Sequence, residues 1–220
     1  MVKIFEKILK DEKYLETVKK IEEIKFITDG KWDWEHGLGH YKRVASYIEK
    51  ILIQLNADER TIELGISTAL LHDIGLSESG VDKIEHGVKG SKIFRDYTQN
   101  TNITLEEAKI IEHAIADHSK GNDMNSIIGV ALVLADKLDV TYHRTENSSI
   151  QDEMNKEIQK IKDVDIEITD NELIVKYTTI SELDINILRR WEKAITIPQK
   201  IAKHLNKKHK FMINNKEVKV

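Results

Sequence analysis

"LLHDIG", residues 70–75, closes the apolar run "IELGISTALLHDIG" (62–75), and its reading decides the fold. A histidine and an aspartate stand side by side where helical periodicity should be carrying side chains into a dry interior. A buried carboxylate must be paired, protonated or bound to a cation, because an isolated charge is costly to take out of water. The chain on either side of it has to supply the partner.

Asp58 has the chemistry of an N-cap for the helix that carries Leu70, His72 and Asp73, and Gly75 ends that helix. Before it, a helix is expected from about Leu38 to Leu55, with Tyr41, Val44, Ile48 and Leu52 on one face. Ile4, Phe5, Ile8 and Leu9, then Tyr14, Val18, Ile21 and Ile24, mark two amphipathic helices ending near "TDG" (28–30), and "KWDWEHGLGH" (31–40) reads as a loop. After it, a helix runs through His86, Ile93 and Phe94. Thr104 and Glu107 have capping-box spacing and open the helix "LEEAKIIEHAIADH" (105–118). A helix from about Ser126 to Tyr142 is apolar almost all round and is therefore expected at the centre.

Past residue 150 the pattern changes. "VDIEITDNELIVKYTT" (164–179) alternates as strands on either side of a "DN" turn, and "FMINNKEVKV" (211–220) reads as another short hairpin. A helix from roughly Leu183 to Lys207 lies between them. The expected fold is mostly α: a helical domain over residues 1–150 and a small α+β extension over 151–220. Short strands at the tail commonly pair with something, so a homodimer is one expected arrangement.

The 220 residues are 40% hydrophobic and 33% charged, enough for one good-sized core. A single proline and ten glycines argue against a sandwich or barrel. With no cysteine, any metal must be held by His, Asp or Glu. The N-terminal stretch alternates charged and apolar residues, unlike a signal peptide, and no run approaches the roughly 18 apolar residues of a membrane span. A cytoplasmic protein without membrane contact is expected. A net charge of −4 argues against general nucleic-acid binding, and the basic run "QKIAKHLNKKHK" (199–210) reads as solvation of a helix end. No Walker loop and no "GxSxG" elbow is present, which removes P-loop NTPases and serine hydrolases of that type.

Seven of the nine histidines fall between residues 36 and 143. His40 lies one turn from His36 and Val44, His72 follows Thr68 and Ala69 on its face, and His118 shares a face with Ile111, Ala114 and Ile115. Asp136 has the apolar neighbours Leu132, Val133 and Val140, so something cationic should meet it. His40, His72, Asp73 and Asp136 come from three helices and converge only if those helices pack around one point. Imidazole and carboxylate together suit a first-row divalent ion better than Ca.

"HYKRV" (40–44), the "HD" pair (72–73) and "ADKLD" (135–139) resemble the motifs of the HD-domain metal-dependent phosphohydrolases, in that family's order, over about residues 30–143. The resemblance implies an HD-type helical bundle whose metal is held by His40, His72, Asp73 and Asp136. "IEHGVKGSKI" (84–93) and "AIADHSKG" (114–121) are similar to stretches in bacterial HD hydrolases of diadenosine tetraphosphate and related nucleotides, implying a second metal on His86 and His118. "HGLGHYKRV" (36–44) also resembles small bacterial HD hydrolases acting on nucleoside triphosphates. One or two divalent ions are implied, with Mn, Fe, Zn, Ni and Mg as candidates.

The expected activity is hydrolysis of a phosphate ester or anhydride, on a small phosphorylated substrate of nucleotide type. Asp73 is the natural bridge between two ions, and a water held by them would have its pKa lowered from 15.7 to about 7, giving the attacking hydroxide. Lys137, Lys120 and Arg144 are candidate substrate clamps. His113, five residues before His118 and about 140° round the helix, is a candidate catalytic or phosphate-contacting residue. His36 either closes the rim or stacks near Trp32 or Trp34, and His143, His204 and His209 read as surface residues. A di-iron oxygenase on the same fold and a metal-stabilised binding or regulatory module are the two alternatives.

Overall fold

Side-chain caps set the starts of several helices. The computed structural model describes residues 3–24, 27–28, 32–78, 85–121, 125–145, 152–190 and 192–219. After the short α1 (Ile4–Ile8), Asp11 accepts from the Tyr14 backbone N–H and opens α2 (Glu12–Glu23). The two-residue strands β1 (Ile27–Thr28) and β2 (Trp32–Asp33) pair, β1 at the expected end of the second helix, which stops at Glu23, and β2 in the expected loop, and α3 (Leu38–Gln54) follows. Asp58 accepts from Thr61 N–H at the start of α4 (Glu59–Leu71), as its position in the sequence implies. After α5 (His86–Ile93), the Thr104–Glu107 capping box opens α6 (Leu105–Asp117) with both reciprocal bonds made.

Ser126 caps α7 (Ile127–Leu138), which is buried from Ile128 through Ala135 and packs on α3, α4 and α6. Its expected end at Tyr142 is corrected. The helix stops at Leu138 because Asp139 leaves helical geometry (ψ 70°), its carboxylate being drawn into an ion-pair network.

The C-terminal part holds α8 (Glu153–Ile158), β3 (Ile161–Ile168), β4 (Glu172–Thr179), α9 (Ile185–Arg190), α10 (Glu192–His204), β5 (Lys208–Ile213) and β6 (Lys216–Glu217). The helix expected over 183–207 is described as α9 and α10, on either side of residue 191, which lies outside the described residues. Asn206 ends the second in a left-handed conformation (φ 55°), with Lys207 N–H donating back to Ala202 O. The sheet order is β3-β4-β5-β6. The first and last pairs are antiparallel, whereas β4 and β5 are parallel, with Val175 opposite Phe211. A parallel pair needs a crossover, which α9 and α10 supply. Asn214 and Asn215, both at positive φ, make the tight turn of the tail hairpin. The tail strand finds its partner inside its own chain, on β4.

The sheet is tied to the helices. Tyr47 donates to Val164 O (3.0 Å), while Gln54 donates to Ile166 O (3.3 Å) and accepts from Ile168 N–H (2.7 Å). One hydrophobic core runs from Ile4 to Phe211, through both parts. The expected boundary near 150 falls within 146–151, outside the described residues. His209, expected at the surface, is partly buried in β5, where desolvation lowers its pKa. Among the described residues no helix is long and apolar enough to cross a membrane.

Candidate metal centre

Five helix ends meet at one point. His40 lies in the first turn of α3, His72 and Asp73 follow the last turn of α4, His86 begins α5, His118 follows α6, and Asp136 lies in the last turn of α7. Helix ends leave backbone carbonyls without intrahelical donors. His72 Nδ1 is 2.7 Å from Ala69 O, and His118 Nδ1 is 2.7 Å from Ile115 O, the same three-residue back-bond at both helix ends. His40 Nδ1 lies 2.6 Å from Asp139 Oδ2 instead. At His72 and His118 the carbonyl beside Nδ1 holds the proton there, so those rings present the Nε2 lone pair to the centre, while at His40 both Asp139 Oδ2 and Arg144 Nη1 lie against Nδ1.

Asp73 stands between two groups of such nitrogens. Its Oδ2 is 3.3 Å from His72 Nε2 and 3.6 Å from His40 Nε2, and Asp136 Oδ1 is 3.5 Å from the latter. Its other oxygen, Oδ1, is 3.1 Å from His86 Nε2 and 3.2 Å from His118 Nε2, which are 3.1 Å from each other. His40, His72 and Asp73 form one potential metal-binding group, and Asp73, His86 and His118 another. Donors placed about 2.1 Å from a tetrahedral zinc lie about 3.4 Å apart, close to these spacings.

The Nε2 atoms of His40 and His72 are buried with no hydrogen-bond partner among the described residues. An unmet polar atom in a dry interior is expensive, and a cation is the group that would satisfy two such lone pairs and a carboxylate together. The residues present therefore fit a divalent ion.

Charge points the same way. Burial alone would raise the pKa of Asp73, but the imidazoles of His72, His118 and His86 hold it well below the usual carboxylate range. Burial is likewise outweighed at Asp136, by Lys137 and His40. Burial would lower His72, yet Asp73 raises it, so the carboxylates draw positive charge to this point. At His118 burial wins and lowers the pKa to about 4, which leaves the ring neutral and able to ligate at pH 7.

The packing that brings His86 in depends on glycine. A Cβ on Gly75 would stand 2.0 Å from His86 O, and one on Gly87 would stand 2.7 Å from Ile115 O. With hydrogens there, α5 lies backbone to backbone against both the turn after Asp73 and the end of α6.

The structure therefore brings together His40, His72, Asp73, His86, His118 and Asp136. The remaining expected residues stand elsewhere. Lys137 is buried and ion-paired with Asp136 Oδ2. Lys120 is exposed and pairs with Asp117 at 3.3 Å, because the turn after His118 carries it to the surface. Arg144 is buried behind His40, against Asp139 and the Trp34 ring. His113 lies on the exposed face of α6, opposite the buried Ala114 and Ile115, and makes no contact with the cluster. His36 Nδ1 bonds Trp34 O (2.7 Å), and its ring lies edge-on to His40; Trp32's side chain lies outside the described residues.

Sequence reasoning missed the layer behind His40. Asp139, 1% exposed, meets Arg43 Nε at 2.7 Å, and Arg43 also pairs with Glu35. The signal was in the spacing: Arg43 lies three residues after His40, and Asp139 three after Asp136.

Residues 37–141 match the family model of the HD domain. No curated protein matches the chain. Among solved structures, a predicted HD superfamily hydrolase from an uncultured Thermotogales bacterium is similar, with 23% identity and a TM-score of 0.44, over 58% of this chain and 66% of that one. Residues 37–141 of the chain are thus identified as an HD domain.

Proposed function

We propose that this protein is a metal-dependent phosphohydrolase that cleaves a phosphate ester or anhydride of a small nucleotide with the help of two divalent ions drawn from Mn, Fe, Zn, Ni and Mg. The observation that carries the reading is the division of Asp73, one oxygen facing the His40–His72 group and the other the His86–His118 group. Divalent ions bound there supply Lewis acidity, lowering the pKa of water and neutralising phosphate charge.

The chain's own residues do the rest. His40, His72 and Asp136 hold one side and His86 and His118 the other, with Asp73 common to both. Lys137 holds one oxygen of Asp136 so that the other faces the imidazoles. Among the ligands, the His86 and Asp136 side chains keep the most solvent access, 12% and 10%, so the phosphate reaches the cluster across them. The resemblance of "IEHGVKGSKI" and "AIADHSKG" to stretches of nucleotide hydrolases supports a nucleotide as the substrate.

Metal analysis of the purified chain, together with phosphate release from a nucleotide panel, tests the proposal. Asp73→Ala should lose metal at both positions and lower activity by about a thousandfold or more, equivalent to ~4 kcal/mol of transition-state stabilisation, while the circular dichroism spectrum is kept. A chain that holds no metal, or a variant as active as the parent, would sink it. Oxygen uptake with bound iron and no phosphate release would favour an oxygenase instead.

A further inference from the structure

The residues behind His40 lead from the centre into the C-terminal part of the chain. Arg144 is 6% exposed; its Nη1 lies against His40 Nδ1 and 3.5 Å from Asp139 Oδ2, and its Nε has no partner among the described residues. A guanidinium kept dry with a donor unmet is fixed by its surroundings more than by its own hydrogen bonds. Those surroundings are Trp34, whose ring centroid is 5.7 Å from the guanidinium carbon, and Glu35, whose N–H donates to Arg144 O at 2.8 Å. Trp34 is anchored in turn. Its Nε1–H donates to Asn155 Oδ1 at 2.7 Å, and Asn155, on α8, is fully buried. Gln159, just past α8, donates to Thr145 O at 3.2 Å and ties down the residue after Arg144.

We infer that α8 is a positioning element for the metal centre: through Asn155, Trp34 and Arg144 it sets the orientation of His40, and with it the affinity of the His40–His72–Asp73–Asp136 group for its cation. The inference rests on the two-ion reading above. Arg144 and Asp139 flank one edge of the His40 imidazole, so the ring cannot swing without displacing a buried ion pair. Asn155 governs whether Arg144 stays there, because losing its oxygen removes the acceptor that anchors the half-buried Trp34 indole and lets the ring shift. The described contacts of this chain of residues end at His40 and Asp139 and do not extend to His86 or His118. α8 is therefore placed to act on one of the two groups. Substitutions behind a metal-binding histidine typically weaken binding by about 10–100-fold.

The test is Mn2+ binding by equilibrium dialysis on the full chain in two backgrounds. His118→Ala leaves the His40 group, and His40→Ala leaves the His86–His118 group. Asn155→Ala should weaken Mn2+ by about tenfold or more in the first background and by less than about twofold in the second. Trp34→Phe keeps the ring and loses only the N–H, and should show the same selectivity should Asn155→Ala fold poorly. Equal weakening in both backgrounds means a purely structural role and overturns the inference, as does no weakening in either. A parent chain that binds no Mn2+ overturns the two-ion reading and this inference with it; a parent that binds two ions whose affinities ignore Asn155 and Trp34 overturns the inference alone.

Discussion

His40 illustrates how much one side chain depends on residues that never touch a substrate. Its Nε2 faces the two carboxylates of the centre while its Nδ1 is held by Asp139, itself gripped by Arg43 and Arg144. Asp139 is the only carboxylate among the described contacts of Arg144, and both are buried. Removing one partner of such a pair leaves a charge stranded out of water, at a cost of about 3–5 kcal/mol. Asp139→Ala should therefore lower the urea midpoint by the equivalent of about 3 kcal/mol or more in the metal-free protein. A loss below about 1 kcal/mol would show that solvent reaches Arg144.

At the level of elements, the centre is built from helix ends, and how closely those ends approach decides which donors meet. Gly87 lets α5 rest on the carbonyls of Ile115 and Ala116, and an added methyl would stand 2.7 and 2.8 Å from those oxygens. Backbone atoms at the end of a packed helix cannot give way as a side chain would, so α5 must move and carry His86 with it. On the two-ion proposal, Gly87→Ala should reduce bound Mn2+ from two ions to one, at a stability cost of about 1–3 kcal/mol, read by metal analysis and thermal melting.

The start of α6 makes a pH-dependent contribution. Hydrogen bonds from Arg60, and then from Thr104 N–H, outweigh burial and lower the Glu107 pKa to about 2. Its folded value thus lies below the unfolded one, near 4.5. The stability it contributes is complete above that unfolded value and disappears as pH falls through about 2. Glu107→Gln should accordingly lower Tm at pH 6, and the gap to the parent should close on acidification, which calorimetry across pH 2–6 will register.

Across the whole molecule, the proposed cation binding would be coupled to folding, because the donors come from five separate helix ends that the unfolded chain does not hold together. At a free metal concentration 100 times Kd, one ion adds about 2.7 kcal/mol of stability. For a chain of this size that corresponds to roughly 5–10 °C in Tm. A chelator should lower the parent's Tm by about that amount and leave Asp73→Ala unmoved; a chelator-insensitive parent would contradict a bound cation. The C-terminal sheet belongs to the same cooperative unit, since its strands share one core with the bundle and Gln54 of α3 bonds directly to β3.

Local chemistry was enough to reveal the helices and their caps, since Asp58, Thr104 with Glu107, and the 3.6-residue spacing of apolar side chains act within a few residues of where they stand. The same holds for the ligand types, because a histidine or aspartate on an apolar helical face announces an unmet charge whatever packs against it. The position of Asp139 behind His40, the placement of His113 and Lys120 at the surface and of Arg144 behind His40, and the parallel pairing of β4 with β5 became visible only in three dimensions. Each depends on groups tens of residues apart, and their distance is set by how whole helices pack, which no local pattern encodes.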